Sequence, residues 1–269
     1  MVRVQKGREI LSVKKILMIA IVLAGGYAKR LWPLTLDKPK VLLPVAGKPV
    51  IDYVIEKILK VSPPVKKIIV STNLRFQSQF ERWLKGRKPS SVELVPDHST
   101  SEYEKVGAVR ALANIASNVD EDFLVLAGDN LFKDELDGLI RIFNQKYSPT
   151  VALYHARNLE EAKRGATVTL GDDGRILEFV EKPEDPKTTL VGACLYAFPL
   201  KIGVRLREYI RLGLPQDEPG RFIEWLHKVE PVYGYMLEDY LWDIGTLESY
   251  REIEKYFSTV SGNPHRFQR

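Results

Sequence analysis

The sequence predicts an α/β protein with a mixed, mostly parallel, Rossmann-like sheet, flanking helices and a smaller β-rich part. Three observations carry this. Short apolar runs alternate with amphipathic helical stripes through the first half of the chain, the pattern of a largely parallel sheet. One such run, Asp122 to Ala127, ends in Gly128-Asp129-Asn130, a loop where α/β proteins place ligand sites. Beyond Thr150 strand-like segments follow one another, with Gly171-Asp172-Asp173-Gly174 reading as a hairpin turn.

The first apolar run, Ile16 to Ala24, follows Arg3, Lys6, Arg8, Lys14 and Lys15 and so mimics a secretory signal. It reads instead as a buried first strand, because cleavage near Ala24 or Ala28 would destroy the glycine-rich loop behind it. It is also too short to span a bilayer. Met18 sits immediately before the strand core, so residues 1–17 read as an N-terminal extension or as a misassigned start. Lys48 to Val61 carries apolar residues at 50, 51, 54, 55, 58 and 59, a helical stripe that Pro63-Pro64 stops. A strand at Lys67–Thr72, a helix at Arg75–Lys85 and a strand at Val92–Val95 follow. Next come a helix at Val106–Ala116, the central strand at Asp122–Ala127 and a helix at Leu136–Phe143. The second half offers strands at Val151–His155, Ala166–Leu170, Arg175–Val180, Leu190–Phe198 and Val232–Leu237. Helices are expected at Lys201–Arg211 and Phe222–Lys228, and a last one capped by Thr246. No linker or internal repeat divides the chain, so residues 18–269 are expected to form one domain, with halves at about 18–148 and 149–269.

With 269 residues and 45% hydrophobic content, the chain can bury one large core or two small ones. A net charge of +5 suits phosphorylated substrates. No basic stripe interleaves with aromatics, which argues against nucleic acid. Cys194 is the only cysteine, so there is no intramolecular disulfide, and a reducing, cytoplasmic setting fits. The four histidines lack zinc-site spacing, and GGYAKR does not match the dinucleotide fingerprint GxGxxG.

Residues 23–49 read LAGGYAKRLWPLTLDKPKVLLPVAGKP. Glycines after a strand let the backbone approach an anion, and Lys29, Arg30, Lys38 and Lys40 offset its charge. Arg30 and Lys40 could equally be surface charges, although stiff Pro39 and apolar Val41-Leu42-Leu43 fix the position of Lys40. Asp129 and Asp243 could each cap a helix or turn, or together offer the hard oxygen ligands that Mg²⁺ takes. Glu181-Lys182 reads as a strand end, and Gly165 and Gly192 as bulges or turns.

The string as a whole resembles the signature of the sugar-phosphate nucleotidyltransferases, or sugar-nucleotide pyrophosphorylases. Leu23 to Gly26, Arg30-Leu31, Pro33, Thr35, Lys40, Leu42 to Pro44 and Gly47 to Pro49 match it. Gly128-Asp129-Asn130, Glu181-Lys182-Pro183 and Trp242 to Thr246 are similar to later family segments. The resemblance implies a nucleoside triphosphate and a sugar 1-phosphate as partners, Mg²⁺ as cofactor, and no nucleic acid or membrane. It implies direct attack of the sugar phosphate on the α-phosphorus. Arg30, Lys40 and Lys182 become the catalytic set, and Asp129 and Asp243 the metal pair. Leu23, Ala24, Gly25, Gly26, Arg110 and Gly128 face the nucleotide; Asn130, Gly165, Glu181, Lys182 and Gly192 face the sugar phosphate. Glucose 1-phosphate with dTTP or UTP is favoured. Mannose 1-phosphate with GTP, a non-sugar alcohol phosphate and a non-catalytic sensor of nucleotide sugars are the alternatives. Short family members often form homo-oligomers, but no apolar stripe here marks an interface. Two departures stand out: Ala28 replaces a family glycine, and Arg110 stands where glutamine or aspartate is common.

Overall fold

A computed structural model describes residues 17–85 and 91–261; apart from Leu17, the expected N-terminal extension lies outside them. Strand β1 (Met18–Leu23) is the pivot of a nine-stranded sheet. Its side chains alternate between faces, as a strand's must. Met18, Ala20 and Val22 enter one core, and Ile19 and Ile21 the other. Burial on both faces explains why β1 reads as an uninterrupted apolar run.

Strands β2 (Lys67–Asn73) and β3 (Val92–Asp97) extend the sheet from one side of β1, and β4 (Asp122–Ala127) pairs with its other side, all in parallel. The order β3-β2-β1-β4 is that of a doubly wound sheet. Five strands from the second half continue the same sheet: β5 (Thr150–His155), β6 (Ala166–Leu170), β7 (Ile176–Glu181), β8 (Leu190–Phe198) and β9 (Tyr233–Met236). β8 runs antiparallel to β4, β5 and β6, β7 runs antiparallel to β6, and β9 lies parallel to β5. Only β7 and β8 therefore oppose the common strand direction.

On one face pack α1 (Val50–Leu59), α2 (Gln77–Lys85) and α4 (Asp137–Lys146); on the other, α3 (Ala108–Ala116), α6 (Ile202–Arg211) and α7 (Pro219–Val229). The four-residue α5 (Leu159–Ala162) was not expected; the Asn158 side chain caps it by accepting from the Glu161 N–H at 2.9 Å. Helix α8 (Leu247–Ser261) covers a third apolar cluster containing Leu31, Val45, Leu131 and Ile244. Thr246 caps it as expected, with Oγ1 accepting from the Ser249 N–H at 3.1 Å. Among the described residues no helix is long and apolar enough to cross a membrane.

The remaining differences from expectation are local. Lys48 and Pro49 belong to a small hairpin with Pro44 and Val45, so α1 starts at Val50. The segment at Leu74–Phe76 is 3-10 before α2 begins. A two-residue ribbon pairing Asn130–Leu131 with Trp242–Asp243 has no periodic signal at all.

The loop after β1 settles the Ala28 question. Ala28 adopts φ 48°, ψ 48°, the left-handed conformation that a glycine takes without penalty. Its carbonyl holds the turn closed, accepting from the Leu31 N–H at 2.9 Å and the Thr35 hydroxyl at 2.8 Å. Buried Leu31 anchors the segment below. The methyl group costs about 1 kcal/mol at such an angle, so Ala28→Gly is expected to stabilise the fold by roughly 0.5–1 kcal/mol. The midpoint of urea unfolding at unchanged slope checks this.

Candidate active site

The chain leaves β1 for β2 on one side and returns through β4 on the other, which opens a crevice beyond the carboxyl ends of β1 and β4. A cavity of about 650 Å³ occupies it and extends over the second-half strands. That volume lies in the range of small-molecule sites.

One wall comes from the loop after β1. The Ala24 N–H bonds to the Ser71 carbonyl at 2.9 Å, and Asn73 Nδ2 donates to the Gly25 carbonyl at 2.9 Å. A Cβ on Gly26 would meet nothing within 4 Å, so the bare backbone there faces open space. Tyr27 turns inward, its hydroxyl donating to Ser99 Oγ at 3.1 Å. Arg30 stands exposed in the following 3-10 turn and lines the cavity. Lys40 opens a second 3-10 turn whose Val41 and Leu42 are buried, so packing fixes its stem.

Gly128 lies beneath this wall, not in it. Its N–H donates to the Leu23 carbonyl at 2.9 Å, and a Cβ would crowd Leu23 O, Val22 and Val41 at 3.2 Å. It is the close-packing residue that brings Asp129 up against Lys40. The Lys40 ammonium and the Asp129 carboxylate form an ion pair. Asp243 reaches the same place through the short ribbon, paired in register with Asn130. The Asp243 carboxylate is wetted through the cleft mouth but walled by protein, so burial, then the Asp129 charge, push its pKa up to about 6; Lys40, Arg30 and Lys182 pull the other way. Burial works against the Lys40 charge, yet Asp129 and Asp243 outweigh it and hold its pKa above the ordinary lysine value.

The other end of the cavity is built by β6, β7 and β8. The Lys182 N–H donates to the Gly165 carbonyl at 2.9 Å, and Lys182 itself sits at φ 51°. This bend carries its ammonium to Glu218, 2.7 Å away at the start of α7. Gly165, Gly192 and Asn130 line the cavity too. The missing side chains of the two glycines make room for Val191 and Phe179, which an added Cβ would approach to 2.5 and 2.7 Å.

Two expected contacts fall elsewhere. Ala108 and Ala111 line the cavity, but Arg110 lies outside the lining and donates through Nε to Gln216 at 2.6 Å. Helical spacing accounts for this, since neighbours on a helix face different ways. Glu181 is buried behind Lys182, with the place of a Gly220 Cβ only 1.8 Å from its Oε2. Glu181 is the last residue of β7, and the left-handed bend at Lys182 just beyond it turns the next side chain a different way.

The cavity also has walls that the sequence left unmarked. Tyr240 donates to Glu161, which Arg157 engages through Nε at 3.2 Å, and Tyr154 packs edge-on to Tyr240 at 5.9 Å. Lys105 pairs with Asp217 at 2.9 Å. The only available sign was Glu218-Pro219, a helix-start dipeptide. Among the described residues no group of three or more His, Cys, Asp or Glu could hold a metal, which leaves Asp129 and Asp243 as a two-carboxylate pair.

Burial raises the Glu181 pKa to about 7; Lys182 lowers it and Glu218 raises it further. A carboxyl with a higher pKa folded than unfolded favours the fold when protonated. That stability is complete below its unfolded value near 4.5 and is lost as pH rises through 7. Glu181→Gln, which mimics the protonated form, is expected to match the parent at pH 4 and exceed it at pH 8 by on the order of 2–3 kcal/mol. Urea unfolding at the two pH values checks this.

Comparison with known proteins gives the family. The family model described as nucleotidyl transferase matches residues 19–259. The bifunctional protein GlmU of Methanocaldococcus jannaschii is 30% identical over 243 residues, 89% of this chain and 54% of its own length. The chain thus spans about half of that relative. The UTP–glucose-1-phosphate uridylyltransferase AglF of Haloferax volcanii is 29% identical over 67% of this chain and 72% of its own. Among solved structures, a Bacillus anthracis chain described as a glucose-1-phosphate thymidylyltransferase superposes with a TM-score of 0.77 at 24% identity, covering 90% of this chain and 95% of that one. The family model covers most of the chain, so the chain belongs to the nucleotidyl transferase family, and the relatives it resembles include sugar-phosphate nucleotidyltransferases.

Proposed function

We propose that the cleft joins a nucleoside triphosphate to a sugar 1-phosphate, releasing pyrophosphate and a nucleotide sugar. One observation carries this reading: Arg30, Lys40 and Lys182, from separate segments, line one cavity together with Asp129 and Asp243. Both substrates are anions, so the reaction needs charge neutralisation and alignment more than a covalent intermediate. In this reading Gly25 and Gly26 admit the nucleotide close to the backbone. Lys182 orients the sugar phosphate, whose oxygen attacks the α-phosphorus in line. Lys40 and Arg30 stabilise the charge on the nucleotide side and on the departing pyrophosphate.

Asp129 and Asp243 suit Mg²⁺, since both are hard oxygen donors open to the cleft and Asp129 already attracts a cation there. When bound, Mg²⁺ would neutralise phosphate charge and act as a Lewis acid. Glucose 1-phosphate with dTTP or UTP is the favoured substrate pair, supported by the uridylyl- and thymidylyltransferase relatives.

Pyrophosphate release with Mg²⁺, across dTTP, UTP, GTP, CTP and ATP against a panel of sugar 1-phosphates, tests both levels. Release that requires dTTP or UTP with glucose 1-phosphate is expected. Release with another pair overturns the favoured substrates, and silence from folded protein across the panel overturns the activity. With the active pair, Asp129→Ala or Asp243→Ala is expected to lower kcat/KM by roughly 10²–10³-fold, as for other preorganised charge sites. Unchanged turnover in either variant would remove that carboxylate from the mechanism.

A further inference from the structure

The deepest ion pair in the cleft joins two residues of the proposed machinery to each other. The Lys40 ammonium rests on Asp129, and their side chains are only 17% and 18% exposed. The pair on the sugar side, Lys182 with Glu218, is twice as exposed at 36% and 38%, so water screens it more. Both partners of the deep pair are anchored. Buried Val41 and Leu42 hold the stem of Lys40, and the Gly128 N–H bond to Leu23 holds the chain before Asp129. Only the lysine's flexible arm is free to move.

The count of charges matters. Asp129 and Asp243 repel each other, and among the described residues Asp243 forms no ion pair within 4 Å. Of the two carboxylates, Asp129 alone holds the Lys40 ammonium in direct contact, while Asp243 is acted on by Lys40, Arg30 and Lys182 from a distance. A divalent cation arriving alone would meet an oxygen already held and a like charge beside it. A nucleotide brings phosphate oxygens, which offer Lys40 another anionic partner in the same cavity.

We infer that Lys40 is the resident counter-ion of Asp129 and leaves it for a substrate phosphate, so that the divalent metal enters with the nucleotide rather than ahead of it. The phosphate half of this exchange rests on the proposed reaction, and the competition for Asp129 rests on the proposed metal pair but not on turnover. A ligand whose competent state is populated one time in ten binds about ten-fold more weakly. Removing the ammonium should restore that factor.

Binding of Mn²⁺ alone, followed by the electron paramagnetic resonance of the free ion, tests the competition on substrate-free protein. Lys40→Gln is expected to bind Mn²⁺ at least about ten-fold more tightly than the parent, and Lys40→Met to do the same, so a folding defect in one variant does not decide the result. Lys40→Arg keeps the charge and is expected to stay within about threefold of the parent. Arg30→Gln removes a cation that acts on Asp243 without contacting Asp129, and is expected to gain less than about threefold. Equal or weaker binding in the neutral Lys40 variants overturns the inference. A gain in Arg30→Gln that matches theirs overturns it as well, because diffuse charge would then account for the effect. No turnover enters these measurements, so a silent substrate panel with tighter Mn²⁺ binding would sink the proposed reaction and leave the counter-ion standing. An active panel with unchanged binding would do the reverse.

Discussion

Everything in this molecule depends on β1 being hydrogen-bonded on both sides. Its parallel partners β2 and β4 take the chain in opposite directions, so no connection covers the ends of β1 and β4. Backbone groups there lack the ladder partners that bury them elsewhere in the sheet, and glycine-rich loops fill the gap. The bond from the Gly128 N–H to the Leu23 carbonyl continues the β1–β4 pairing just past the strand ends. It fixes the distance between the glycine-rich loop and the acidic residue that follows Gly128. A larger residue at position 128 would push Leu23, Val22 and Val41 aside and separate Asp129 from Lys40.

The second governing theme is charge compensation. Lys40, Lys105, Arg157 and Lys182 each face a carboxylate within the cavity. Concentrating unpaired cations in a walled space would be expensive, because desolvation and mutual repulsion add. The pairing removes that cost in the empty protein. It also sets what a ligand must do, since its own anionic groups have to replace the internal ones. Affinity in such a site is a difference between two well-paired states, and discrimination can come from how well each replacement fits.

The strands, most helices and the glycine-rich loop after β1 were legible because their signals are local. Alternation and apolar runs report burial, and Gly171 to Gly174 marks the β6–β7 turn without help from distant residues. Ala28 was legible only as a question; sequence shows the alanine, while the neighbouring turn decides its φ. Arg110 and Glu181 show the limit of motif matching. Each lies within a recognisable segment, yet the pitch of a helix and the pleat of a strand turn it away from the cavity. The Arg157–Glu161–Tyr240 wall was invisible because Tyr240 arrives from the far end of the chain, through packing against Tyr154 that no spacing encodes.

The ribbon between Asn130–Leu131 and Trp242–Asp243 has a consequence for biosynthesis. Sheet strands β1 to β4 can pair once their residues have left the ribosome, and domains begin folding during synthesis. Asp243 joins Asp129 through two rungs of backbone pairing and the Ile244 N–H bond to the Asp129 carbonyl at 3.4 Å, held from behind by α8 through contacts such as Tyr250 with the Pro44 carbonyl at 2.6 Å. A nascent chain stalled before residue 243 would therefore own a nearly complete sheet and half of its acidic pair. The ribbon thus ties the second carboxylate of the cleft to residues made after all nine sheet strands, so the acidic pair is completed only once the sheet's own sequence is.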